Sequence, residues 1–303
     1  MAKIAVELQQ ALVRRARDGS PGATAARVLA RGDGWRVADV VCTTGPQDRP
    51  FEEQHSQFSI AIVTAGSFEY RSAAGRELMT PGSVLLGNDG QYFECAHDHG
   101  AGDRCLAFWY APERFEALAE GAGATGSRTG FRALRLPPLR ALSPLVARAC
   151  AGLRGSAAVA WEELSVQIAG LAIRLAAGLS PDEVTAAPPS AMARVTRAVR
   201  KVEREAAADL GLASLAREAR LSPYHFLRVF ERMTGLTPHQ YVRRVRLREA
   251  ATRLASEATR ILEIALDCGF GDVSSFNRAF RAEFGTNPRA YRRRTQARGG
   301  SAP

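Results

Sequence analysis

The last hundred residues of the chain contain an internal repeat, and this duplication constrains the fold more than any other feature of the sequence. Residues 226–244 align with residues 276–294 at an offset of fifty, and eight of these nineteen positions are identical. Repetition at a fixed offset indicates that one structural unit occurs twice. The identical pairs are Phe226/Phe276, Arg228/Arg278, Phe230/Phe280, Gly235/Gly285, Pro238/Pro288, Tyr241/Tyr291, Arg243/Arg293 and Arg244/Arg294.

Each copy has the pattern of two helices joined by a short turn. In the first copy, Ser222 can cap a helix that begins with Pro223 and ends at Gly235. In the second copy the turn spans residues 269–271 and Asp272 can cap the next helix. Apolar residues at helical spacing mark the buried faces: Leu215, Ala216 and Ala219 in the first copy, and Ile264, Ala265, Cys268, Phe276, Phe280 and Phe284 in the second. The sequence therefore predicts two helix-turn-helix units.

The opposite face of each second helix carries side chains that suit the edges of DNA bases. Arginine can donate two hydrogen bonds to guanine, and asparagine can pair with adenine. An ordinary solvated helix face is the alternative interpretation of either stripe alone, and its recurrence inside a basic segment favours base contact. The stripes are Tyr224, Leu227, Arg228 and Glu231 in the first copy and Ser274, Asn277, Arg278 and Arg281 in the second.

Positive charge is confined to the same part of the chain. Residues 1–189 hold 19 Lys and Arg against 20 Asp and Glu, whereas residues 190–303 hold 22 against 11. Neutralisation of phosphates by Lys and Arg drives affinity for nucleic acids. The distribution therefore predicts a DNA-binding segment joined to a nearly neutral one, and double-stranded DNA as its partner.

The segment between the two copies predicts one continuous helix. Thr237 can cap it, Pro238 suits its first position, and nothing breaks the pattern before about Ala255. About eighteen residues at 1.5 Å each give roughly 27 Å. This length could set two recognition helices near the roughly 34 Å repeat of successive major grooves, and a short fit would require the DNA to bend.

The N-terminal part of the chain has a different sequence pattern. Period-2 alternation between residues 35 and 110, interrupted by glycine and proline, predicts short strands in a small barrel or sandwich. Alanine and leucine at helical spacing over residues 143–150 and 159–179 predict two helices that could pack as a hairpin. Three prolines mark residues 181–190 as a linker. The predicted strands are residues 58–64, 67–71, 83–86, 91–97 and 104–110.

The motifs of the repeat resemble one known family. The segments are Leu-Ser-Pro-Tyr-His-Phe-Leu-Arg-Val-Phe from residue 221, Thr-Gly-Leu-Thr-Pro from 234, Ile-Ala-Leu-Asp-Cys-Gly-Phe-Gly-Asp-Val-Ser-Ser-Phe-Asn-Arg-Ala-Phe from 264 and Gly-Thr-Asn-Pro-Arg-Ala-Tyr-Arg from 285. Over residues 192–295 the chain is similar to the DNA-binding domain of the AraC/XylS family of bacterial transcription regulators. The resemblance implies recognition helices at residues 223–233 and 273–284. The implied base-facing residues are Tyr224, Leu227, Arg228, Val273, Ser274, Asn277 and Arg278. Leu227 and Val273 stand where many members carry polar groups, so the resemblance leaves the operator sequence open.

The N-terminal half resembles the cupin-like sensing barrel that many members of this family carry. The features are the turn at Gly66, the step at residues 80–82 before a strand, and His97 some fifteen residues later. The two-histidine first motif of metal-bearing cupins is absent, although Glu53 and His55 stand in that region, so catalysis is not implied. The predicted fold is α+β: a small cupin-like β-barrel with a helical hairpin, then an all-α domain with two helix-turn-helix motifs. The predicted domains are residues 1–180 for sensing and dimerisation, a linker at 181–190, the DNA-binding domain at 191–295 and a disordered tail at 296–303.

Cysteine and histidine residues around position 97 form a candidate metal site. Cys95, His97 and His99 alternate, so a continuing strand would project all three from one face, with Cys105 near in sequence. Thiolate and imidazole ligands suit a tetrahedral, zinc-like divalent ion, which His55 or Glu53 could complete. The alternative is a core cysteine with two turn histidines that share no ligand. The other three cysteines, Cys42, Cys150 and Cys268, are predicted to be small core residues.

The leading functional hypothesis is a transcription regulator rather than an enzyme. A small-molecule effector would enter the barrel and alter contacts with a partner subunit or with the DNA-binding domain, changing promoter occupancy or recruitment of RNA polymerase. A homodimer through the hairpin is expected, as is a cytoplasmic location, since the sequence shows neither a signal peptide nor a membrane span. Two alternatives stay open: a cupin-type metalloenzyme tethered to DNA, and a metal or redox sensor acting through Cys95 and Cys105.

Overall fold

The computed structural model describes residues 3–50, 52–123, 130–153, 159–178 and 189–297. The N-terminal domain begins with helix α1 (Lys3–Asp18) and continues as two antiparallel sheets. Its strands are β1 (Thr24–Gly32), β2 (Trp35–Cys42), β3 (Glu52–Gln54), β4 (Phe58–Gly66), β5 (Phe68–Ser72), β6 (Gly75–Met79), β7 (Val84–Gly87), β8 (Tyr92–Ala96), β9 (Asp103–Tyr110) and β10 (Arg135–Leu136). One sheet has the order β1-β2-β9-β4-β7-β10 and the other β3-β8-β5-β6. The predicted β-rich N-terminal domain of short strands is confirmed.

Alternation along β9 separates the two sides of the larger sheet. Cys105 and Ala107 face the smaller sheet and share a core with Phe68 and Tyr70. Leu106 and the alternate residues that follow it face the helices that cover the outer side. The barrel interior and the helix-covered face are therefore two distinct cores.

A buried arginine fixes α1 to the barrel. Arg104 of β9 is 1% exposed, and its guanidinium donates to both carboxylate oxygens of Asp39 at 2.8 Å. Glu7 of α1 also pairs with Arg104. Burial of a charge is costly unless it is paired, so this ion pair fixes β2, β9 and α1 relative to one another. The sequence analysis did not predict α1.

Three further helices follow the barrel: α2 (Pro112–Gly121), α3 (Ser143–Leu153) and α4 (Trp161–Ala177), with a 3-10 turn at Arg140–Leu142. Buried residues of α3 and α4 join the core that covers the larger sheet. The Tyr110 hydroxyl at the end of β9 donates to the Ser165 carbonyl of α4 at 2.8 Å. The predicted pair of helices is present, and both pack against the barrel.

The C-terminal domain is all helical and has two cores. Its helices are α5 (Pro189–Glu205), α6 (Leu212–Glu218), α7 (Pro223–Thr234), α8 (Pro238–Ser256), α9 (Ile261–Asp267), α10 (Val273–Phe284) and α11 (Pro288–Ala297). One core joins α5, α6, α7 and the start of α8; the other joins the end of α8 with α9, α10 and α11. Helix α8 thus belongs to both units.

Two of the predicted domain boundaries lie close to the ends of helices. Residues 181–188 of the expected linker lie outside the described residues, and α5 already includes Pro189 and Ser190. Residues 298–303 of the expected tail also lie outside them, while α11 extends through Ala297.

The two domains meet along an extended seam. Leu78 of β6 joins the first C-terminal core, and Ala147 of α3 joins the second. Arg248 of α8 donates to the Pro81 carbonyl at 3.2 Å. Glu283, at the end of α10, is buried and accepts a hydrogen bond from Ser143 of α3. Each helix-turn-helix unit therefore has its own contact with the barrel domain.

Candidate nucleic-acid interface and barrel site

Helix α7 has defined ends and one buried face. The Ser222 hydroxyl accepts a hydrogen bond from the His225 amide at 3.4 Å, and Pro223 occupies the first turn. Gly235 ends the helix with a φ of 75°, a left-handed conformation that favours glycine. Phe226 and Phe230 are fully buried. The predicted cap, first turn and end are all confirmed.

Helix α10 repeats this construction. The Asp272 carboxylate accepts from the Ser275 amide at 2.7 Å, and that hydrogen bond is the main reason why the pKa of Asp272 is lowered. Gly285 ends the helix with a φ of 69°. Phe276 and Phe280 are fully buried, as their spacing predicts. Both second helices are thus held by their inner faces.

The outer faces of these helices project into solvent. Tyr224 is 71% exposed, and the Arg228 guanidinium lies 5.9 Å from its ring centre. Among the described residues, no carboxylate lies within 4.0 Å of the guanidinium of Arg228 or Arg278, and Glu218 instead pairs with Lys201. A structural ion pair of either arginine with Glu218 or Glu263 therefore finds no support in the described part of the chain. Of the other stripe residues, Glu231, Ser274, Asn277 and Arg281 are exposed, while Leu227 and Val273 are half-buried.

Helix α8 sets the spacing between the two units. Thr237 and Gln240 form a reciprocal capping box, in which the Thr237 hydroxyl accepts from the Gln240 amide and the Gln240 side chain accepts from the Thr237 amide. Its 19 residues span about 28 Å. Arg246, near its middle, donates to the carbonyls of Ala206, Ala208 and Gly269 at 2.7–2.8 Å. This side chain joins the end of α5 to the turn of the second unit.

A polar cluster of three residues, the Cys42 cluster, lies inside the barrel. A sulfur, a ring nitrogen and a carboxylate oxygen from Cys42, His97 and Asp103 lie within 4.8 Å of one another, and all three residues are buried. Cys42 and Asp103 are paired across β2 and β9, so their side chains share a face. His97 Nε2 lies 2.7 Å from Asp103 Oδ1.

The electrostatics of this cluster favour charged forms. Burial opposes the imidazolium of His97, but the hydrogen bond with Asp103 and the nearby Cys42 outweigh it and raise the pKa of His97 to about 9. Burial likewise opposes the Cys42 thiolate, yet the neighbouring His97 lowers the pKa of this thiol overall. Burial, reinforced by the negative charge of Asp103, raises the pKa values of Cys95 and Cys105.

A second histidine sits in an apolar part of the barrel. His55 Nε2 lies 2.8 Å from the Tyr70 hydroxyl, and its ring stacks on Phe93 with centroids 4.1 Å apart. Burial lowers the pKa of His55 to about 4. Glu53 is exposed on β3 and is not part of the Cys42 cluster.

Comparisons with known proteins match both domains. Residues 215–294 match the family described as "Helix-turn-helix domain", and residues 41–169 match "AraC-like ligand binding domain". The HTH-type transcriptional activator RhaS of Salmonella arizonae is 28% identical over 255 residues, which cover 80% of this chain and 87% of RhaS. The chain belongs to the AraC family of transcriptional regulators.

Other similar proteins match a shorter part of the chain. The HTH-type transcriptional regulator Rv1931c of Mycobacterium tuberculosis is 37% identical over 82 residues, 27% of this chain and 32% of that protein. A solved AraC-type DNA-binding regulator of Chromobacterium violaceum is 27% identical and covers 36% of this chain and 95% of that chain, with a TM-score of 0.33. The AraC-family assignment makes double-stranded DNA the partner of the C-terminal domain, and it makes the chain a regulator and not an enzyme. In the described part of the chain, every helix is too short or too polar to cross a bilayer.

The barrel brings together a different set of potential metal-binding side chains from the set that sequence spacing suggested. Only His97 of the four predicted ligands belongs to the Cys42 cluster. The expected set required β8 to continue through His99, but β8 ends at Ala96 and His99 lies in a turn. Cys95 lies in the barrel interior outside the cluster, and Cys105 touches only its edge, with Sγ 3.2 Å from Asp103 Oδ2.

Two residues of the Cys42 cluster were missed by sequence reasoning. Cys42, expected to be a simple core residue, is buried but also faces His97, and Asp103 was not considered. They are 61 positions apart, and only the pairing of β2 with β9 brings them together. Cys150 and Cys268 are buried in apolar cores, as predicted.

Proposed function

We propose that this AraC-family chain reads two DNA half-sites, one with α7 and one with α10. The observation that carries the proposal is the repeated outer face, where Arg228 and Arg278 occupy equivalent positions, are exposed, and have no ion pair in the described chain. An arginine without a structural partner keeps its donors available for guanine or phosphate. The base-contacting set is Tyr224, Leu227, Arg228, Val273, Ser274, Asn277, Arg278 and Arg281.

The two helices would enter successive major grooves on one side of the duplex. Helix α8 spans about 28 Å, less than the roughly 34 Å groove repeat. Because Arg246 holds both units to α8, the difference would be met by bending the DNA. Flexible base steps between the half-sites would then favour binding without being contacted.

The barrel domain would regulate this binding. We propose that an effector bound there changes the seam to the DNA-binding domain and thereby changes promoter occupancy or recruitment of RNA polymerase in the cytoplasm, where bacterial DNA lies. The contacts of Arg248 with Pro81 and of Glu283 with Ser143 support a coupled rather than a tethered arrangement. Helix α3 packs against the DNA-binding domain and is therefore not free for a second subunit. We propose that a homodimer forms through the exposed side of α4 around Val166.

Selection from a randomised DNA pool by the full-length protein tests this function. Wild-type protein should enrich two short motifs separated by about one helical turn, and Arg228→Ala with Arg278→Ala should lose the enrichment while keeping its helical circular dichroism. The control is Arg31→Ala, which removes an exposed arginine from β1, away from both recognition helices and from α4. Equal enrichment by wild type and the double variant would contradict the proposed recognition surface.

A further inference from the structure

The Cys42 cluster has the composition of a cation site. It combines one sulfur, one imidazole and one carboxylate, each from a buried residue, with donor atoms at most 4.8 Å apart. Zinc ligands at about 2.0–2.3 Å from the ion stand roughly 3.3–3.8 Å apart in a tetrahedron. The sulfur of Cys42 and a ring nitrogen of His97 therefore need to move by only about an ångström to meet a common ion, and the carboxylate of Asp103 lies beside them.

A second observation points into the same space. The His97 side chain is completely buried, and within the described chain its Nδ1 has no hydrogen-bond partner of normal geometry. An unsatisfied buried polar atom is costly, so its presence calls for a ligand or a function. The other ring nitrogen, Nε2, is held by Asp103 at 2.7 Å. A histidine whose second nitrogen binds a carboxylate is the usual arrangement of a metal ligand.

We propose that Cys42 Sγ and His97 Nδ1 bind a thiophilic divalent cation of the zinc type inside the barrel, while the Asp103 carboxylate holds His97 through its other ring nitrogen. Thiolate and imidazole donors select such ions over Mg²⁺ or Ca²⁺. The thiolate and the adjacent carboxylate together offset the two positive charges, and any proton held by the Cys42 thiol or by His97 Nδ1 leaves to solvent on binding. The remaining positions are left to water or to a small ligand. Cys105, against the second oxygen of Asp103, orients that carboxylate without being a ligand.

The site lies beside the seam to the DNA-binding domain. The loop between His97 and Asp103 contains Gly100 and Ala101, and Arg200 of α5 rests on it with Nη2 3.5 Å from the Ala101 carbonyl. The negative charge of Asp103 also attracts the Arg200 guanidinium. A cation bound to His97 would compete with Arg200 for the negative charge of Asp103, which would weaken this attraction and loosen α5. This coupling, unlike the site itself, rests on the proposed regulatory function.

Cobalt binding to the reduced, metal-free, full-length protein tests the site. Co²⁺ should bind in one equivalent and give the near-ultraviolet charge-transfer absorption of a thiolate ligand. Cys42→Ser should remove this absorption, and Asp103→Asn should weaken binding by about 10- to 100-fold. Cys150→Ser and Cys268→Ser are the matched controls, because both thiols are buried in apolar cores, and they should leave binding unchanged.

X-ray absorption of the wild-type protein with Zn²⁺ needs no variant and should show one sulfur together with nitrogen or oxygen ligands. The site is overturned if the folded wild type fails to bind Co²⁺ stoichiometrically, if the absorption survives Cys42→Ser, or if Cys95→Ser removes it. A zinc shell with no sulfur would overturn it equally.

The coupling is measured separately by DNA binding with and without Zn²⁺. Wild-type affinity should change at least about threefold, and Gly100→Ala, which displaces Arg200, should abolish the change while the cobalt absorption persists. Cobalt binding with Zn²⁺-independent DNA affinity would overturn the coupling alone. Loss of specific DNA binding under all conditions would instead contradict the proposed function and leave the cation site standing.

Discussion

Arg220 and Gly269 hold equivalent places in the two turns, and both have a left-handed backbone, with φ angles of 53° and 86°. Glycine adopts this conformation readily, whereas other residues pay about 1–2 kcal/mol for it. The first unit therefore carries strain that the second unit avoids.

Exchange of these residues should change stability in opposite directions. Arg220→Gly should raise the free energy of unfolding by up to about 1 kcal/mol, because the strain is relieved at some entropic cost. Gly269→Ala should lower it by about 2 kcal/mol or more, since a Cβ there would lie 2.7 Å from the Ala207 carbonyl oxygen. Urea unfolding of both variants measures this, with Gly271→Ala as the control, which has no atom within 4 Å of the new Cβ. A destabilised Arg220→Gly would mean that the Arg220 side chain has a role of its own.

The two exposed recognition arginines should act on different half-sites. Arg228→Ala and Arg278→Ala should each cost about 1–3 kcal/mol of DNA binding and relax preference at one base position. The melting temperature should stay the same, because no carboxylate pairs with either side chain in the described chain. Uniform weakening on all sequences, with a salt slope reduced by about one, would show phosphate contact in place of base contact.

The contact of Gly100 with Arg200 offers a steric test of the seam. A Cβ at Gly100 would lie 1.9 Å from the Arg200 guanidinium carbon, so Gly100→Ala should move that flexible side chain off the loop and lower stability by at most about 1 kcal/mol, the net worth of the long hydrogen bonds that Arg200 loses. Gly121→Ala, with no atom within 4 Å of its Cβ, should change little. Thermal unfolding gives the stability, and small-angle scattering gives the expected larger radius of gyration. An unchanged radius would show that the remaining contacts hold the seam closed.

Buried Glu283 should be essential to the seam. It accepts from Ser143 and lies 3.3 Å from Arg244 Nε, so Glu283→Gln leaves a half-buried arginine without its anionic partner. Loss of one partner of a buried ion pair costs about 3 kcal/mol. Denaturant unfolding should show this loss, whereas the exposed Glu263→Gln should be nearly neutral. A small effect for both would mean that solvent already screens Arg244.

Acid should destabilise the barrel through His55. Its pKa of about 4 in the folded protein lies below the value of about 6.5 in an unfolded chain, so between these values the unfolded chain binds the additional proton. Stability from this residue is complete above pH 6.5 and declines by up to about 3 kcal/mol as the pH falls to 4. Urea unfolding over this range should show a weaker pH dependence for His55→Gln but not for His239→Gln, which replaces an exposed histidine. Identical slopes for wild type and His55→Gln would contradict the prediction.

The helix-turn-helix units and the cluster around His97 differ in how far the sequence predicts them. Caps such as Ser222 and Asp272 and the terminating Gly235 and Gly285 are local signals, and each fixes backbone within a few residues of itself. The cluster depends on strand pairing between distant segments, which spacing along the chain does not encode. Helix α1 was missed for a related reason, because its attachment through Glu7 and the buried Arg104 is a tertiary contact.

The seam also limits how freely these two domains can be recombined. A chimaera that grafts this DNA-binding domain onto another barrel would separate Glu283 from Ser143 and Arg248 from the Pro81 carbonyl, leaving buried charges at the graft. The residues on each side of the seam therefore depend on their partners on the other side. Substitutions at these positions should be tolerated only in compensating pairs. Because Leu78 and Ala147 of the barrel domain also pack into the cores of the DNA-binding domain, we expect the two domains to be inherited together.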